Sequence, residues 1–476
     1  MVDRNHVDAE MSGDDFSKKL RVIWQGWYGM TQEFWGQVLL VGILYGLIQL
    51  SVLLGSTSGW AKYSVLEAFD QFQYWDAGIY AQLAISPRCT AFYPLWPSLI
   101  HIAAGPSTVE QALRFSTMGS ALIFAISLPL ALRTLQKIIC NRRIAFLAFF
   151  LYALGPNAIF HSIGYTESLF SLMSWGLLLL LAKLDRASQW RQLQWGSMVS
   201  GVFLLSIGLS LTRPILVPSL AALAFGGWLY WQCSRLSPVN AGQTDSPSFP
   251  SAMEILGVAS AIAVGNIVGY GIYGHTCGQE LGSIWAPFEA QVAWGRSVAI
   301  RPWLLVLPRS LLMDLHGLYL PLLLGVGLLW GVAGDLQASL KRQVWLPRSP
   351  WVYSFLIHPL AFVGVLMSLH RFWPQGMISQ PVMTTPRWGS LRRFAGIYAI
   401  AFSGAHAAIN LLINSGNLYS TARHVFGTPY TFVGIGLLLA AIPLGRLYRV
   451  SWAIAWIGIA LLAHQWYAYA TDGWLG

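Results

Sequence analysis

The chain has few charged residues and few cysteines, and both shortages restrict what it can be. Asp, Glu, Lys and Arg make up 10% of the 476 residues, whereas a soluble domain usually has about 25%. The four cysteines are scattered, without a Cys-x-x-Cys pair or a histidine cluster, so the sequence predicts neither a zinc site nor a disulfide framework. Ionisable groups at the edge of a bilayer cost free energy, so each acid beside a hydrophobic run marks a candidate site.

Two motifs that would point to soluble catalysis are also missing. No Gly-x-x-x-x-Gly-Lys-Ser/Thr loop occurs, which argues against nucleotide hydrolysis. No Gly-x-Ser-x-Gly elbow occurs either. The net charge of +10 does not indicate nucleic-acid binding, because Lys and Arg are concentrated in short connections such as 133–143, as expected for cytoplasmic loops of a membrane protein.

Long hydrophobic runs dominate the chain. Hydrophobic residues make up 55% of it, and runs of about 18 residues, long enough to cross the hydrocarbon core, recur along its length. The runs are continuous and not alternating, which predicts an all-α fold, a polytopic transmembrane helical bundle with about 11–13 spans. The candidate spans are 36–54, 115–133, 144–160, 166–183, 197–212, 214–232, 252–273, 311–333, 351–370, 393–413, 426–444 and 450–470.

The charge pattern predicts how these spans are arranged. Residues 1–35 read as a cytoplasmic tail with an interfacial helix and no signal peptide, and 36–476 as one transmembrane catalytic domain. With the N-terminus inside, the long loops 55–114 and 274–310 lie on the outer face, which predicts that they form the site. The basic loops on either side of 351–370 can both be cytoplasmic if that segment is re-entrant or broken, which His358-Pro359 near its middle permits.

Two acids at span ends are the first candidates for chemistry. Asp76 lies in the first outer loop within Trp75-Asp76-Ala77-Gly78, and a carboxylate there can serve as a general base. A helix cap or a solvated loop acid is the alternative interpretation. Glu167, in Tyr165-Thr166-Glu167-Ser168, begins a span, and its alternative is an acid that complements the helix dipole.

Three arginines on the predicted outer face are candidate phosphate ligands, since a guanidinium matches phosphate oxygens with two parallel hydrogen bonds. Arg213 interrupts a hydrophobic run, Arg296 follows Trp294-Gly295, and Arg423-His424 precedes a span. The alternatives are a tight interfacial turn between two helices at Arg213, contact with the lipid surface at Arg296, and an ordinary cation at a helix start at Arg423. The segment Ala91-Phe92-Tyr93-Pro94, apolar and broken by proline, is either a cavity wall or an interfacial anchor.

Four of these segments, in this order, resemble the glycosylphosphatidylinositol mannosyltransferase II family and its prokaryotic relatives. They are Trp75-Asp76, Ala91–Pro97, Tyr165–Phe170 and Leu211-Thr212-Arg213-Pro214. The resemblance covers about residues 70–215 and extends more loosely to 291–296 and 423–429. Tyr74 and Pro214 depart from the family pattern, which usually has Arg before its Trp-Asp and a polar residue after its Arg.

The resemblance implies a type-C glycosyltransferase, a multi-span enzyme that takes a sugar from a polyprenyl-phosphate carrier. It implies that Asp76 is the catalytic base. Substrate contacts would come from Trp75, Tyr93, Tyr165, Glu167, Arg213, Arg296, Arg423 and His424.

On this interpretation the protein lies in the cell (inner) membrane, with its site on the extracytoplasmic face. Its partners would be a lipid-linked sugar donor, most simply a mannose donor, an acceptor that is a glycolipid, glycan or protein, and membrane lipids. We expect no cofactor, no protein-held metal site and no nucleic acid; metal dependence stays open. A lipid or glycolipid flippase and a non-catalytic membrane scaffold are the rival functions.

Overall fold

The computed structural model describes residues 13–139, 141–184, 192–236, 252–299, 301, 304, 320, 393–416, 418, 420–441, 445–473 and 475. The predicted spans 311–333 and 351–370, and the topology of 334–392 that depends on them, lie outside the described residues.

Helices make up most of the described chain. In chain order they are α1 (Gly13–Gly55), α2 (Gly59–Tyr63), α3 (Gln71–Tyr74), α4 (Asp76–Ile85), α5 (Leu95–Ala104), α6 (Val109–Ile138), α7 (Arg142–Leu154), α8 (Glu167–Leu184), α9 (Gln192–Thr212), α10 (Leu216–Leu236), α11 (Ala252–Leu281), α12 (Ala286–Glu289), α13 (Phe394–Leu412), α14 (Thr421–Phe426), α15 (Pro429–Ala441) and α16 (Gly445–Ala470). Two 3-10 helices (Pro156–His161 and Ala290–Trp294) and a two-strand ribbon of β1 (Ser297–Val298) and β2 (Ile413–Asn414) complete the described elements.

The all-α membrane fold predicted from the sequence is confirmed. Within the described residues, 6 helices are long and apolar enough to cross a membrane, and three shorter apolar helices accompany them. The chain is therefore an integral membrane protein. The first helix runs without a break from Gly13 to Gly55, so the proposed boundary at residue 35 stays a prediction.

Small residues bring the central helices close together. In α11, Gly265 and Gly269 form a Gly-x-x-x-Gly pair, and a Cβ on either would lie 2.7 Å or 2.6 Å from a backbone oxygen of α9. Glycine at these two positions therefore permits the close helix contact that is common in membranes. Between them, buried Asn266 donates to Ser219 of α10 at 3.1 Å, and its backbone oxygen accepts from Ser210 of α9 at 2.9 Å. This buried polar contact fixes the three helices in register.

One cysteine prediction was wrong. Cys89, in the first long loop, forms a disulfide with Cys277 of α11, across 188 residues. The spacing of the cysteines could not reveal this bond, because the partners meet only when the outer loop folds back on α11. Around it, Glu280 accepts from the Cys89 backbone N–H at 2.7 Å, and the Tyr273 hydroxyl accepts from the Thr90 N–H at 2.9 Å.

A hydrogen bond and an ion pair of Lys62 connect the first long loop to the segment after α16. Lys62, at the end of α2, is buried and donates to the backbone oxygen of Tyr469 at 2.8 Å. It also forms an ion pair with Asp472. These contacts hold the segment after α16 against the first long loop, and Leu475 of that segment is buried.

Candidate active site

A cavity of about 290 Å³ opens among the long loops and the helix ends that they cover. Its walls come from the start of α4, the segment before α5, the turn between α9 and α10, the loop before β1, and α14. Helix ends and loops from distant parts of the sequence therefore supply one concave site.

Asp76 is the first residue of α4, and a strained residue places it there. The preceding Trp75 has φ 50°, a left-handed backbone conformation that is unfavourable for a bulky side chain. Such strain concentrates at functional sites, where surrounding structure holds it. The Asp76 side chain is 26% exposed and lines the cavity together with Trp75.

Glu167 is positioned by a tight turn before α8. Gly164 has φ +86°, and a Cβ there would lie 2.7 Å from the Ser116 hydroxyl, so the turn requires glycine. The indole of Trp96 donates to the Gly164 carbonyl at 3.0 Å and fixes the turn. Glu167 follows as the first residue of α8 with a fully buried side chain.

One arginine joins the two acids. Arg423 of α14 donates from Nη1 to Asp76 Oδ2 at 2.6 Å and from Nε to Glu167 Oε1 at 2.6 Å. The ring of Tyr165 lies 4.3 Å from its guanidinium carbon and that of Phe160 lies 5.2 Å away. Burial lowers the pKa of Arg423, but the two carboxylates outweigh it and raise that pKa well above its usual value. Arg423 is therefore permanently charged and engaged.

A second arginine approaches Glu167 from the other side. Arg213, between α9 and α10, lies 3.5 Å from Glu167 Oε1 through its Nη2. The same Nη2 donates to Nδ1 of His424 at 2.6 Å. His424 must therefore be neutral, with its proton on Nε2. Burial, followed by Arg213 and Arg423, lowers the pKa of His424 well below its usual value, in agreement with this arrangement.

Arg296 is the third cation of the cavity, and it reaches the site from the loop between the second 3-10 helix and β1. Gly295 before it has φ +69°, which turns the chain. The ribbon that follows is held by Arg301, whose Nη1 donates to the Asn414 side chain at 2.7 Å. Burial lowers the pKa of Arg296, and Asp76 opposes that effect. Within the described residues its guanidinium has no carboxylate at ion-pair distance.

Aromatic residues form the remaining wall. Tyr93 is buried, packs on Tyr273 with ring centroids 5.2 Å apart, and lines the cavity with Phe92. Its hydroxyl has no hydrogen-bond partner among the described residues. The Tyr273 hydroxyl lies 2.9 Å from the carbonyls of Thr90 and Phe92, so this wall is fastened to α11 beside the disulfide.

The structure brings the residues singled out from the sequence to one place. Eight of them line the cavity, namely Trp75, Asp76, Tyr93, Tyr165, Arg213, Arg296, Arg423 and His424. Glu167 lies behind the wall and forms ion pairs with Arg423 and Arg213. Their catalytic and binding roles stay predictions.

Other residues of the cavity were not predicted. Asn410 lines it from the last turn of α13 and Asn414 from β2, and two amides at the end of a hydrophobic run were a signal that could have been used. Leu475 also lines it, and no sequence pattern marks that residue.

Part of the chain matches a curated protein in sequence. No protein-family profile matches the chain. A segment of 115 residues, 23% of the chain, is 32% identical to GPI mannosyltransferase 2 of Schizosaccharomyces pombe. The match covers 25% of that relative, so the chain spans about a quarter of the length of the curated relative that it matches.

The chain also matches solved structures at low identity. ArnT from Cupriavidus metallidurans, bound to undecaprenyl phosphate, is 14% identical with a TM-score of 0.46, over 92% of this chain and 69% of that one. The Archaeoglobus fulgidus oligosaccharyltransferase AglB, in complex with an inhibitory peptide and a dolichol-phosphate, is 14% identical with a TM-score of 0.36, over 93% and 56%. The sequence match confirms the resemblance to the glycosylphosphatidylinositol mannosyltransferases that the motifs predicted.

Proposed function

We propose that this protein is a membrane glycosyltransferase that moves a hexose, mannose in the first instance, from a polyprenyl-phosphate carrier to an acceptor hydroxyl. One observation carries the proposal: a partly exposed carboxylate, Asp76, shares a cavity with the cations Arg213 and Arg296. A carboxylate suits an acceptor proton, and arginines suit a phosphate leaving group.

Asp76 is the general base of this reaction. Arg423 holds its Oδ2, so we assign Oδ1 to accept the proton of the acceptor hydroxyl. As that proton leaves, the acceptor oxygen attacks the anomeric carbon, and the bond from this carbon to the phosphate oxygen breaks. The phosphate keeps the bonding electron pair. A single displacement inverts the configuration at the anomeric carbon.

Arg213 and Arg296 stabilise the phosphate as its negative charge grows. Cations that are fixed in place before reaction lower the barrier without having to reorganise. The aromatic wall formed by Trp75, Phe92 and Tyr93 offers an apolar surface to the sugar face and to the first part of the lipid. This division of the cavity fits a substrate that is both phosphorylated and lipid-linked.

The disulfide supports a site on the extracytoplasmic side. Disulfides persist in oxidising compartments and are rare in the cytosol. Cys89 is two residues before Ala91 of the cavity wall, so the cavity and the disulfide lie on the same side of the membrane. The charge pattern of the loops supports the same orientation.

The test is sugar transfer by the purified protein with polyprenyl-phosphate mannose and a membrane-lipid extract as acceptor. We expect Asp76→Asn to lower turnover by about 10²- to 10⁴-fold, the range for a positioned general base. The variant should still bind the donor, because the donor's phosphate contacts arginines and not Asp76.

Asp70→Asn is the matched control, since Asp70 is an exposed acid six positions earlier in the same loop. It should transfer sugar like the wild type. Wild-type turnover in Asp76→Asn would remove Asp76 from the mechanism. Binding of the donor without transfer to any acceptor hydroxyl, accompanied by movement of the lipid between leaflets, would favour the flippase.

A further inference from the structure

The buried acid Glu167 is the only one of the five ionised groups of the described site that does not line the cavity. Its side chain is 0% exposed, so it has no access to a substrate. It nevertheless contacts two of the three arginines through the same oxygen, Oε1. A fully buried carboxylate is costly unless its contacts compensate, so these two contacts need an explanation.

Two of the three guanidinium nitrogens of Arg423 are already bonded to the two acids. Its Nε and Nη1 are bonded to Glu167 and Asp76, and aromatic rings lie close to its guanidinium. A phosphate that took both donors would have to displace two carboxylates. The geometry of Arg423 therefore suits the orientation of Asp76 and not the binding of a phosphate.

Arg213 and Arg296 have the opposite character. Nη1 of Arg213 is buried without a hydrogen-bond partner among the described residues, and the side chain is 8% exposed. Arg296 lines the same cavity and, in the described part of the chain, has no carboxylate at ion-pair distance. Both side chains line the cavity, so both can contact an anion bound there.

We propose that Glu167 is a positioning residue that separates the tasks of the arginines. By binding Nε of Arg423, it turns the other side of that guanidinium towards Asp76. By its ion pair with Nη2 of Arg213 at 3.5 Å, it holds that side chain at the cavity wall, where it faces the phosphate of the substrate together with Arg296. This inference rests on the proposed function, which it refines by assigning Arg423 to the base and the other two arginines to the phosphate.

The charge balance makes the proposal testable. Three arginines face two carboxylates, so the cluster has a net charge of +1 with His424 neutral. Glu167→Gln raises that charge to +2 while it weakens the hold on Arg423. Turnover should fall because the base loses its orientation, whereas anion binding should not fall, because the positive charge near the phosphate has increased.

The experiment measures both quantities on full-length protein in detergent. We expect Glu167→Gln to lower kcat about 100-fold, the effect of a small misplacement of a reacting group. The Kd for polyprenyl phosphate, measured separately by native mass spectrometry, should be unchanged or tighter. Glu110→Gln is the control, because Glu110 is also an acid in the first turn of a helix.

Two further variants guard against a folding defect. Glu167→Asp keeps the charge on a shorter arm and should recover part of the turnover with the donor Kd unchanged. Arg423→Gln combined with Glu167→Gln should be no slower than Arg423→Gln alone, because both changes disturb the same contact. Retained binding of polyprenyl phosphate shows in each case that the cavity is folded.

The outcomes separate the two proposals. Loss of turnover together with weaker binding in Glu167→Gln and in Glu167→Asp would reduce Glu167 to a structural role and overturn the inference. Wild-type kcat in Glu167→Gln would overturn it as well, and both results leave the proposed function intact. Wild-type protein that neither binds polyprenyl phosphate nor transfers sugar would overturn the proposed function, and the inference with it.

Discussion

The molecule contains two ion-paired clusters with opposite character. In the first, Lys62 is 2% exposed and has a full set of local partners: Asp472, the Tyr469 carbonyl, and the Tyr469 ring 4.5 Å from its Nζ. In the second, around Glu167, two carboxylates bind Arg423, while Nη1 of Arg213 has no partner among the described residues.

This difference distinguishes a structural contact, the Lys62 cluster, from a candidate binding site, the Glu167 cluster. The Lys62 cluster joins two chain segments, and Asp472 is 51% exposed, so a change there alters solvation only modestly. The Glu167 cluster is buried, lines or backs a cavity, and retains donors without acceptors. Unpaired buried groups call for an explanation, and a ligand bound in the cavity would supply one.

The largest effect that separates the clusters is expected at Arg296. Arg296→Gln removes a cation that has no carboxylate partner in the described residues, so the change should cost substrate affinity and not stability. We expect the donor KM to rise about 10- to 100-fold, the loss of one charge-assisted hydrogen bond. Transfer kinetics across a series of donor concentrations measure this value.

Lys62→Met gives the contrasting result in the other cluster. The substitution keeps the buried stem of the side chain and removes its charge. Because the partner Asp472 is half exposed, we expect the free energy of unfolding to fall by only about 1 kcal/mol. The donor KM and kcat should stay within about twofold of wild type. A higher KM in Lys62→Met than in Arg296→Gln would reverse the assignment of the two clusters.

Sequence reasoning reached the fold because its signals are local. Hydrophobic runs predicted α6 and α8–α11 to within several residues at most ends, since length and apolarity alone decide a span. It also singled out residues that the structure places around one cavity. The contacts among them were beyond reach, because Asp76 and Arg423 are 347 residues apart and no spacing rule connects them.

The disulfide shows the same limit. No sequence motif relates Cys89 to Cys277, and their pairing depends on how the outer loop packs on α11. The sequence around each cysteine gives no sign of a partner, so the prediction of four isolated cysteines was wrong for Cys89 and Cys277. Glu167 shows the limit in another form: its position at a helix start was visible, whereas its burial between two arginines was not.

The disulfide sharpens the comparison, because it fastens a segment that belongs to the cavity. Replacing both cysteines, Cys89→Ser with Cys277→Ser, should lower the free energy of unfolding by about 2–4 kcal/mol, as is typical for a native disulfide. Because Ala91–Tyr93 follows directly, the donor KM should rise as well, unlike in Lys62→Met.

Thermal unfolding and transfer kinetics on the same preparation measure the two effects. The companion variant is Tyr273→Phe. It removes the hydroxyl that bonds the wall and leaves the Cys89–Cys277 disulfide intact. It should reproduce part of the change in KM with little loss of stability. Unchanged kinetics in both variants would show that the wall keeps its position without these contacts.

The last prediction concerns a buried group that belongs to neither cluster. His161, at the end of the first 3-10 helix, is fully buried and stacks on Phe124 with ring centroids 4.8 Å apart. Burial lowers the pKa of His161 to about 4, against the opposing effect of Glu167. His161 therefore stays unprotonated in the folded state at pH values where the unfolded chain, with a histidine pKa of about 6.5, binds a proton.

The sign of the pH dependence follows. Above about pH 6.5 the histidine is neutral in both states and contributes nothing, and below that value only the unfolded state gains a proton, so stability falls. Between about pH 7.5 and about pH 5 the loss should be about 2 kcal/mol. His161→Phe should remove that part of the loss, whereas His275→Phe, at an exposed histidine of α11, should leave it in place.

An identical loss in His161→Phe and in wild type would mean that His161 is protonated in the fold, which requires a carboxylate beside it. Glu167 is the nearest candidate, and its engagement with Arg423 and Arg213 is the reason we expect His161 to stay neutral.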